Sequence, residues 1–206
     1  MFDSHAHIGK MTDNAIIASS RPDEWDTVKS YPHHAIGLLF PSADLADEFR
    51  KEVLSSDRAL IGEVGPDRRF PSDYRNEFFQ KCLDLSKLTG KHLVIHQVGM
   101  TGVFLDMLRS AYPLPPFIVH GFTGSAETAF EIKKLGGIIS LGPQAERTKH
   151  FSKLIETEFL LETDMESGEM QTKALELWYK SVAECMNVSL SVLEEIIDER
   201  RAVFTS

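Results

Sequence analysis

Short apolar runs alternate with longer amphipathic stretches along the whole chain. The runs are Met1 to Ala6, Asn14 to Ala18, Ala35 to Phe40, Ala59 to Val64, His92 to His96, Phe117 to His120, Gly137 to Leu141 and Phe159 to Thr163. Each is short and rich in Ile, Val, Leu or Phe, the pattern of parallel strands buried on both faces. Between them lie SADLADEFRKEVLSSD, DYRNEFFQKCLDLSKLTG, TGVFLDMLRSAY and SAETAFEIKKLGG, several ending on Gly or running into Pro as helices do. This alternation predicts a (β/α)8 TIM-type barrel, with an open doubly wound sheet as the competing fold.

The chain is short for a barrel, so the prediction is of a distorted, trimmed one. Only a short loop joins the first two runs, which leaves the first helix short or missing, and RTKHFSKLIET is brief. After Asp164, MQTKALELWYKSVAECM and SLSVLEEIIDERRAVF predict two closing helices, the second capped by Ser189. No repeat or flexible linker interrupts residues 1–206, which read as a single domain with a self-sufficient core.

Composition narrows the classes. Hydrophobic residues make up 42% and charged ones 26%, and no apolar run approaches the length of a membrane span. The start MFDSHAHIG lacks a basic region followed by an apolar stretch, so no signal peptide is expected. Cys82 and Cys185 stand far apart and read as free thiols in a reducing compartment, with the cytoplasm as the expected location. The formal charge of -9 excludes a broad basic surface for nucleic acid. A phosphate-bearing substrate would be held locally, by metal ions or a few arginines. Nothing suggests a protein partner.

Ligand-type residues fall at the ends of the runs. His5 and His7 close the first, Glu63 the fourth, His96 the fifth and His120 the sixth, while Asp164 follows the eighth. Catalytic groups of barrels come from these C-terminal strand ends, which share one mouth. Residues two apart on a strand face the same way, so Asp3, His5 and His7 are expected on one inward face, as are Glu162 and Asp164. One such histidine is ordinarily a hydrogen-bonded structural residue, but four with two carboxylates form a costly buried polar group that a divalent cation would compensate. Chemistry suggests His5, His7 and Asp164 on one ion and His96 with His120 on a second, with Glu63 between. One or two ions are expected. A mixed imidazole and carboxylate set suits zinc or manganese better than calcium, and magnesium normally prefers more oxygen ligands. Such a pair activates water and stabilises attacking and leaving oxygens, the chemistry of a hydrolase.

In order, DSHAH, GEVGPD, LVIHQ, IVHGFTGS, GGIISLGP and LLETD resemble the signatures of the TatD family of metal-dependent deoxyribonucleases, within the amidohydrolase superfamily. The resemblance runs to about Asp164, and the tail ending in ERRAVF is similar to the family's closing helix. It implies a distorted barrel with a one- or two-metal site and the same assignment of the six residues. It also implies that Asp164 and Glu63 are the catalytic carboxylates, Asp164 handling the proton of the attacking water. The implied reaction is hydrolysis of a phosphodiester at a DNA end.

Three departures bear on the substrate. Gln97-Val98-Gly99-Met100 stands where the family carries an arginine and an acidic residue, Leu39-Phe40-Pro41 replaces a His-Pro pair, and Met165-Glu166-Ser167-Gly168-Glu169 adds negative charge after Asp164. The acidic balance and the lost arginine favour the alternative, a small-molecule amidohydrolase cleaving an ester, lactone or amide. Arg68 and Arg69 are candidates to reach a phosphate, and Gln144, Arg147 and Lys149 follow the seventh run at the same mouth. Ser125 reads as an ordinary helix cap, His33 and His34 as surface loop residues, and His92 as part of the opposite, stability end.

Overall fold

The structure, a computed structural model, describes residues 1–70 and 73–205. Eight parallel strands run in sequence order: β1 Asp3–His7, β2 Ala15–Ala18, β3 His34–Ile36, β4 Leu60–Val64, β5 Leu93–His96, β6 Phe117–His120, β7 Gly137–Leu141 and β8 Phe159–Leu161. The helices are α1 Trp25–Val28, α2 Ala43–Ser55, α3 Asp73–Thr89, α4 Thr101–Ala111, α5 Ala126–Lys134, α6 Phe151–Leu154, α7 Glu169–Met186 and α8 Leu190–Thr205. This is a trimmed (β/α)8 barrel. No helix separates β1 from β2, and α1 and α6 are single turns. Ser42 and Ser125 cap α2 and α5 through their hydroxyls, and Ser189 accepts from Val192 N at the start of α8.

Every residue of β2, β3, β4, β6 and β8 is buried, as their unbroken apolar runs require. The seam between β8 and β1 is closed by the chain just past β8. Asp164 N donates to His5 O at 3.1 Å, His7 N to Met165 O at 2.8 Å and Ser167 N to His7 O at 2.9 Å. The acidic stretch after Asp164 thus serves as the closing edge of the barrel. Below it, the Asp3 carboxylate accepts from Thr163 N at 3.1 Å, Thr163 Oγ1 at 2.6 Å and Gln171 Nε2 at 2.6 Å. Burial pushes Asp3 up to about 7, against the pull of those hydrogen bonds.

Two bulges re-aim the strand ends and correct the expected facing of Asp3. In β1, Asp3 lies opposite Ala15 but Ala6 opposite Ile17, so β1 carries one extra residue. Ser4 therefore points into the barrel, its Oγ 2.6 Å from Ser140 Oγ of the non-adjacent β7, while Asp3 reaches out to Gln171 on α7. The same count recurs in β4, where Ile61 faces Leu93 and Val64 faces Ile95. Gly62 occupies that bulge at φ +156, and a Cβ there would lie 2.3 Å from Val94 O.

His34 is also corrected. It is buried at the start of β3, with Nδ1 2.8 Å from Tyr31 O and Nε2 3.2 Å from Ser56 Oγ. Among the described residues, no helix is long and apolar enough to cross a membrane.

Candidate metal centre

All six strand-end candidates meet at the C-terminal mouth. Glu63 sits at the middle. Its Oε1 lies 2.7 Å from His96 Nδ1 and 2.8 Å from His120 Nε2, and its Oε2 4.0 Å from His5 Nε2. Asp164 Oδ1 lies 3.0 Å from His7 Nε2 and 3.5 Å from His5 Nε2. Three overlapping triads, His5 with His120 and Asp164, His5 with His7 and Glu63, and Glu63 with His96 and His120, each hold their donor atoms within 4.8 Å of one another. The bulges explain why: each extra residue turns His5 or Glu63 toward the axis.

The cluster holds its ionisable groups in strongly shifted states. Burial lowers His5, and the neighbouring His120 lowers it further. Burial opposes ionisation of Glu63, yet the charge and hydrogen bonds of His120 and the bond to His96 hold it well below the usual carboxylate range. Asp164 is likewise held far down by His5 and His7 despite its burial. His120 is driven well above its ordinary value by Glu63 and Glu162, which overcome burial. Among the described residues, both ring nitrogens of His5, Nδ1 of His120 and Oε2 of Glu162 are buried without a hydrogen-bond partner, Asp164 Oδ1 standing 3.5 Å from His5 Nε2. Orphaned buried nitrogens are costly, and a divalent ion bound through imidazole and carboxylate relieves that cost. The donor set therefore fits a divalent cation.

The metal-facing residues open into a cleft of about 410 Å³, whose walls include Arg68, Arg69, Gln97, Thr101, Gly124 and Gln144. Arg147 and Lys149 are exposed and do not line it, because the 3-10 turn Pro143–Arg147 carries them away from the mouth after Gln144. A larger cleft of about 800 Å³ lies at the opposite end, between His33, Lys91, His92 and Phe204. None of the three donor triads lies there, whereas His96, His120 and Asp164 line the smaller cleft.

Two features escaped the sequence reading. Asp67 is buried behind His96, its Oδ2 2.9 Å from His96 Nε2, and is clasped by Arg69, whose Nε lies 3.0 Å from both carboxylate oxygens and whose Nη2 lies 2.6 Å from Oδ2. Only its place in GEVGPD, four residues after Glu63, could have flagged it. Phe40 and Phe70 meet edge to face at the rim, centroids 5.3 Å apart, with the Arg69 guanidinium 5.6 Å from the Phe70 ring.

A family model described as TatD related DNase matches residues 18–203. Among curated proteins, an uncharacterized metal-dependent hydrolase of Methanocaldococcus jannaschii is 26% identical over 155 residues, covering 70% of this chain and 61% of that protein. The chain thus spans less than two thirds of the archaeal relative's length. The uncharacterized metal-dependent hydrolase YabD of Bacillus subtilis is 26% identical over 206 residues, covering 80% of this chain and 79% of its own. Among solved structures, the TatD homolog YJJV of Escherichia coli K12 superposes with a TM-score of 0.81 at 18% identity, covering 98% of this chain and 96% of that one. A TatD family hydrolase of Entamoeba histolytica gives 0.76 at 12% identity, covering 98% and 85%. At such identities these two similarities concern the fold.

Proposed function

This chain belongs to the TatD related DNase family and is a metal-dependent hydrolase; from that premise we propose that it cleaves a phosphodiester at a DNA end. The observation that carries the reading is the overlap of the three donor triads, two of which share Glu63 and two His5, with the ring nitrogens of His5 buried and without a hydrogen bond among the described residues. In this reading His5, His7 and Asp164 would hold one divalent ion and His96 with His120 a second, with Glu63 available to either. Zinc or manganese is the expected metal.

Bound there, divalent ions supply Lewis acidity toward a phosphate oxygen and lower the pKa of water. The chain's own groups do the rest. Asp164, ionised and half-exposed at the mouth, accepts the proton of the attacking water. Arg68 and Arg69, on the cleft wall, take the remaining phosphate charge, which suits an acidic protein that must bind an anion locally. Phe40 and Phe70 offer aromatic surface to a base at the rim. Residues 1–206 act as a single domain, and the two free cysteines suit a reducing cytoplasm.

A specific feature favours the second reading, a small ester, lactone or amide. Gln97 follows His96 on the cleft wall where the family resemblance calls for arginine. The test strips the protein, reloads it with zinc, manganese or magnesium, and offers linear oligonucleotides, circular single-stranded DNA and a panel of carbonyl esters, lactones and amides. Metal-dependent release of mononucleotides from linear DNA alone is expected. Turnover confined to carbonyl substrates would transfer the site to the second reading. Asp164→Asn should abolish whichever activity is found.

A further inference from the structure

We propose that Asp67 is a positioning residue for His96, receiving the ring proton on Nε2 so that Nδ1 can give its lone pair to a metal ion held beside Glu63 and His120. The proposal rests on the metal reading above and adds to it the residue that aims one of its ligands.

A neutral imidazole has one N–H and one lone pair, and the partner of one nitrogen decides the role of the other. His96 Nδ1 faces the centre, 2.7 Å from Glu63 Oε1 and 3.0 Å from His120 Nε2. His96 Nε2 faces away, 2.9 Å from Asp67 Oδ2. Both carboxylates can only accept, so without a cation Glu63 at Nδ1 and Asp67 at Nε2 compete for the one ring proton; a cation shared by Glu63 and Nδ1 would settle that proton on Nε2, where Asp67 receives it.

Asp67 is built to stay in that place. Its main chain pairs with Val98, two residues beyond His96, through Arg68 N to Val98 O and Val98 N to Pro66 O, each 3.0 Å. Its carbonyl accepts from the buried Arg75 Nη1 at 3.0 Å. Its Oδ1 accepts from Arg69 N at 2.8 Å, closing a local turn. A turn-former would need only Oδ1. The second oxygen is shared between Arg69, with Nε at 3.0 Å and Nη2 at 2.6 Å, and His96 Nε2 at 2.9 Å, so the carboxylate that holds the loop also reaches the ring.

Asp67→Asn separates the two roles. The amide oxygen would keep the turn with Arg69 N, and the NH2 would then face His96 Nε2. That donor favours the Nδ1–H tautomer, which cannot ligate through Nδ1. Ring 15N shifts of histidine-labelled, zinc-loaded protein should show His96 carrying its proton on Nε2 in the wild type, with that N–H signal displaced or lost in the variant. Competition titration with zinc should show one of two ions weakened about 10–100-fold and the other unchanged, with an unaltered melting temperature for the metal-free proteins. A variant that binds both ions as tightly as wild type overturns the proposal, as does a wild-type His96 protonated on Nδ1. The wild-type spectrum decides even if the variant fails to fold. Should the wild type bind no divalent ion, the metal reading falls; should it bind ions that the variant holds equally well, only the role of Asp67 falls.

Discussion

His5 on β1 and His120 on β6 lie face to face, ring centroids 3.8 Å apart and 19° from parallel. Both rings are buried, so the pair cannot comfortably carry two positive charges. The structure divides the roles: His5 is pushed toward the neutral form by burial and by His120, while Glu63 and Glu162 draw the proton to His120. A stack of this kind between nearly opposite strands is a preformed pair of nitrogen donors, and Glu63 reaches both.

Because Glu63 directs one oxygen to His96 and His120 and the other toward His5, its loss should affect both ion positions. Glu63→Gln should bind essentially no zinc in equilibrium dialysis, while His7→Asn, at the edge of the cluster, should retain one ion per chain. For the wild type, metal at about 100 times its Kd should add about 2.7 kcal/mol, or roughly 5–10 °C in Tm for a chain of this length. Chelator should reverse the gain. Equal stoichiometry in the two variants would remove Glu63 from the shared position.

Gly37, just after β3, leaves the room that Glu63 uses. A Cβ there would lie 2.0 Å from Glu63 N and 2.2 Å from Ser19 O, both backbone atoms that cannot step aside. Gly37→Ala should destabilise the fold by about 3 kcal/mol or more and weaken zinc binding as well. Gly102, in the first turn of α4, has nothing within 4 Å of such a Cβ. Gly102→Ala should be neutral to stabilising by up to about 1 kcal/mol. Urea unfolding of the two variants checks the contrast.

The strands and the six converging residues were legible because buried parallel strands leave unbroken apolar runs and their ends mark the mouth. Facing was less so. Period two placed Asp3 with His5, but a bulge is set by pairing with β2 and leaves no local mark in DSHAH. Asp67 and Phe70 lie in the loop after β4, where no periodicity applies, and their roles arise from His96 and Phe40, distant in sequence. Arg147 followed the right strand, but the 3-10 turn after β7 takes it off the cleft wall, and only Gln144 stays on it. His34 was misplaced because a polar residue beside His33 reads as loop, whereas Tyr31 O and Ser56 Oγ satisfy both its nitrogens inside.

That burial makes His34 a source of acid sensitivity. Burial lowers it below its usual 6.5, outweighing the hydrogen bond to the Tyr31 carbonyl, with Lys91 adding to the shift. Above about pH 6.5 neither folded nor unfolded chain protonates it, so it has no effect there. As pH falls below that value the unfolded chain takes up the proton first and stability is lost, until the folded value is passed. In chelator, the urea midpoint should fall between pH 7.5 and 5.5 in the wild type and fall less in His34→Gln. Every other histidine is common to the two proteins, so the difference between them reports His34.

Phe40 and Phe70 should reveal which molecule enters the cleft. They are 51% and 47% exposed although they touch each other, and Phe70 sits against Arg69, whose Nη2 comes within 3.4 Å of His96 Nε2. The aromatic pair is therefore linked to the metal cluster through a single side chain. A base flanking a phosphodiester held at the cluster could rest on these rings, an interaction of about 1–3 kcal/mol per base. Phe40→Ala with Phe70→Ala should raise KM for a linear oligonucleotide at least roughly fivefold with kcat nearly unchanged, since stacking at the rim contributes equally to ground and transition states. An oligonucleotide with an abasic terminal residue should bind wild type and double variant alike. If KM for the normal end does not move, the rings are not a base platform; if a small ester is turned over equally well by both proteins, the rim is irrelevant to that chemistry.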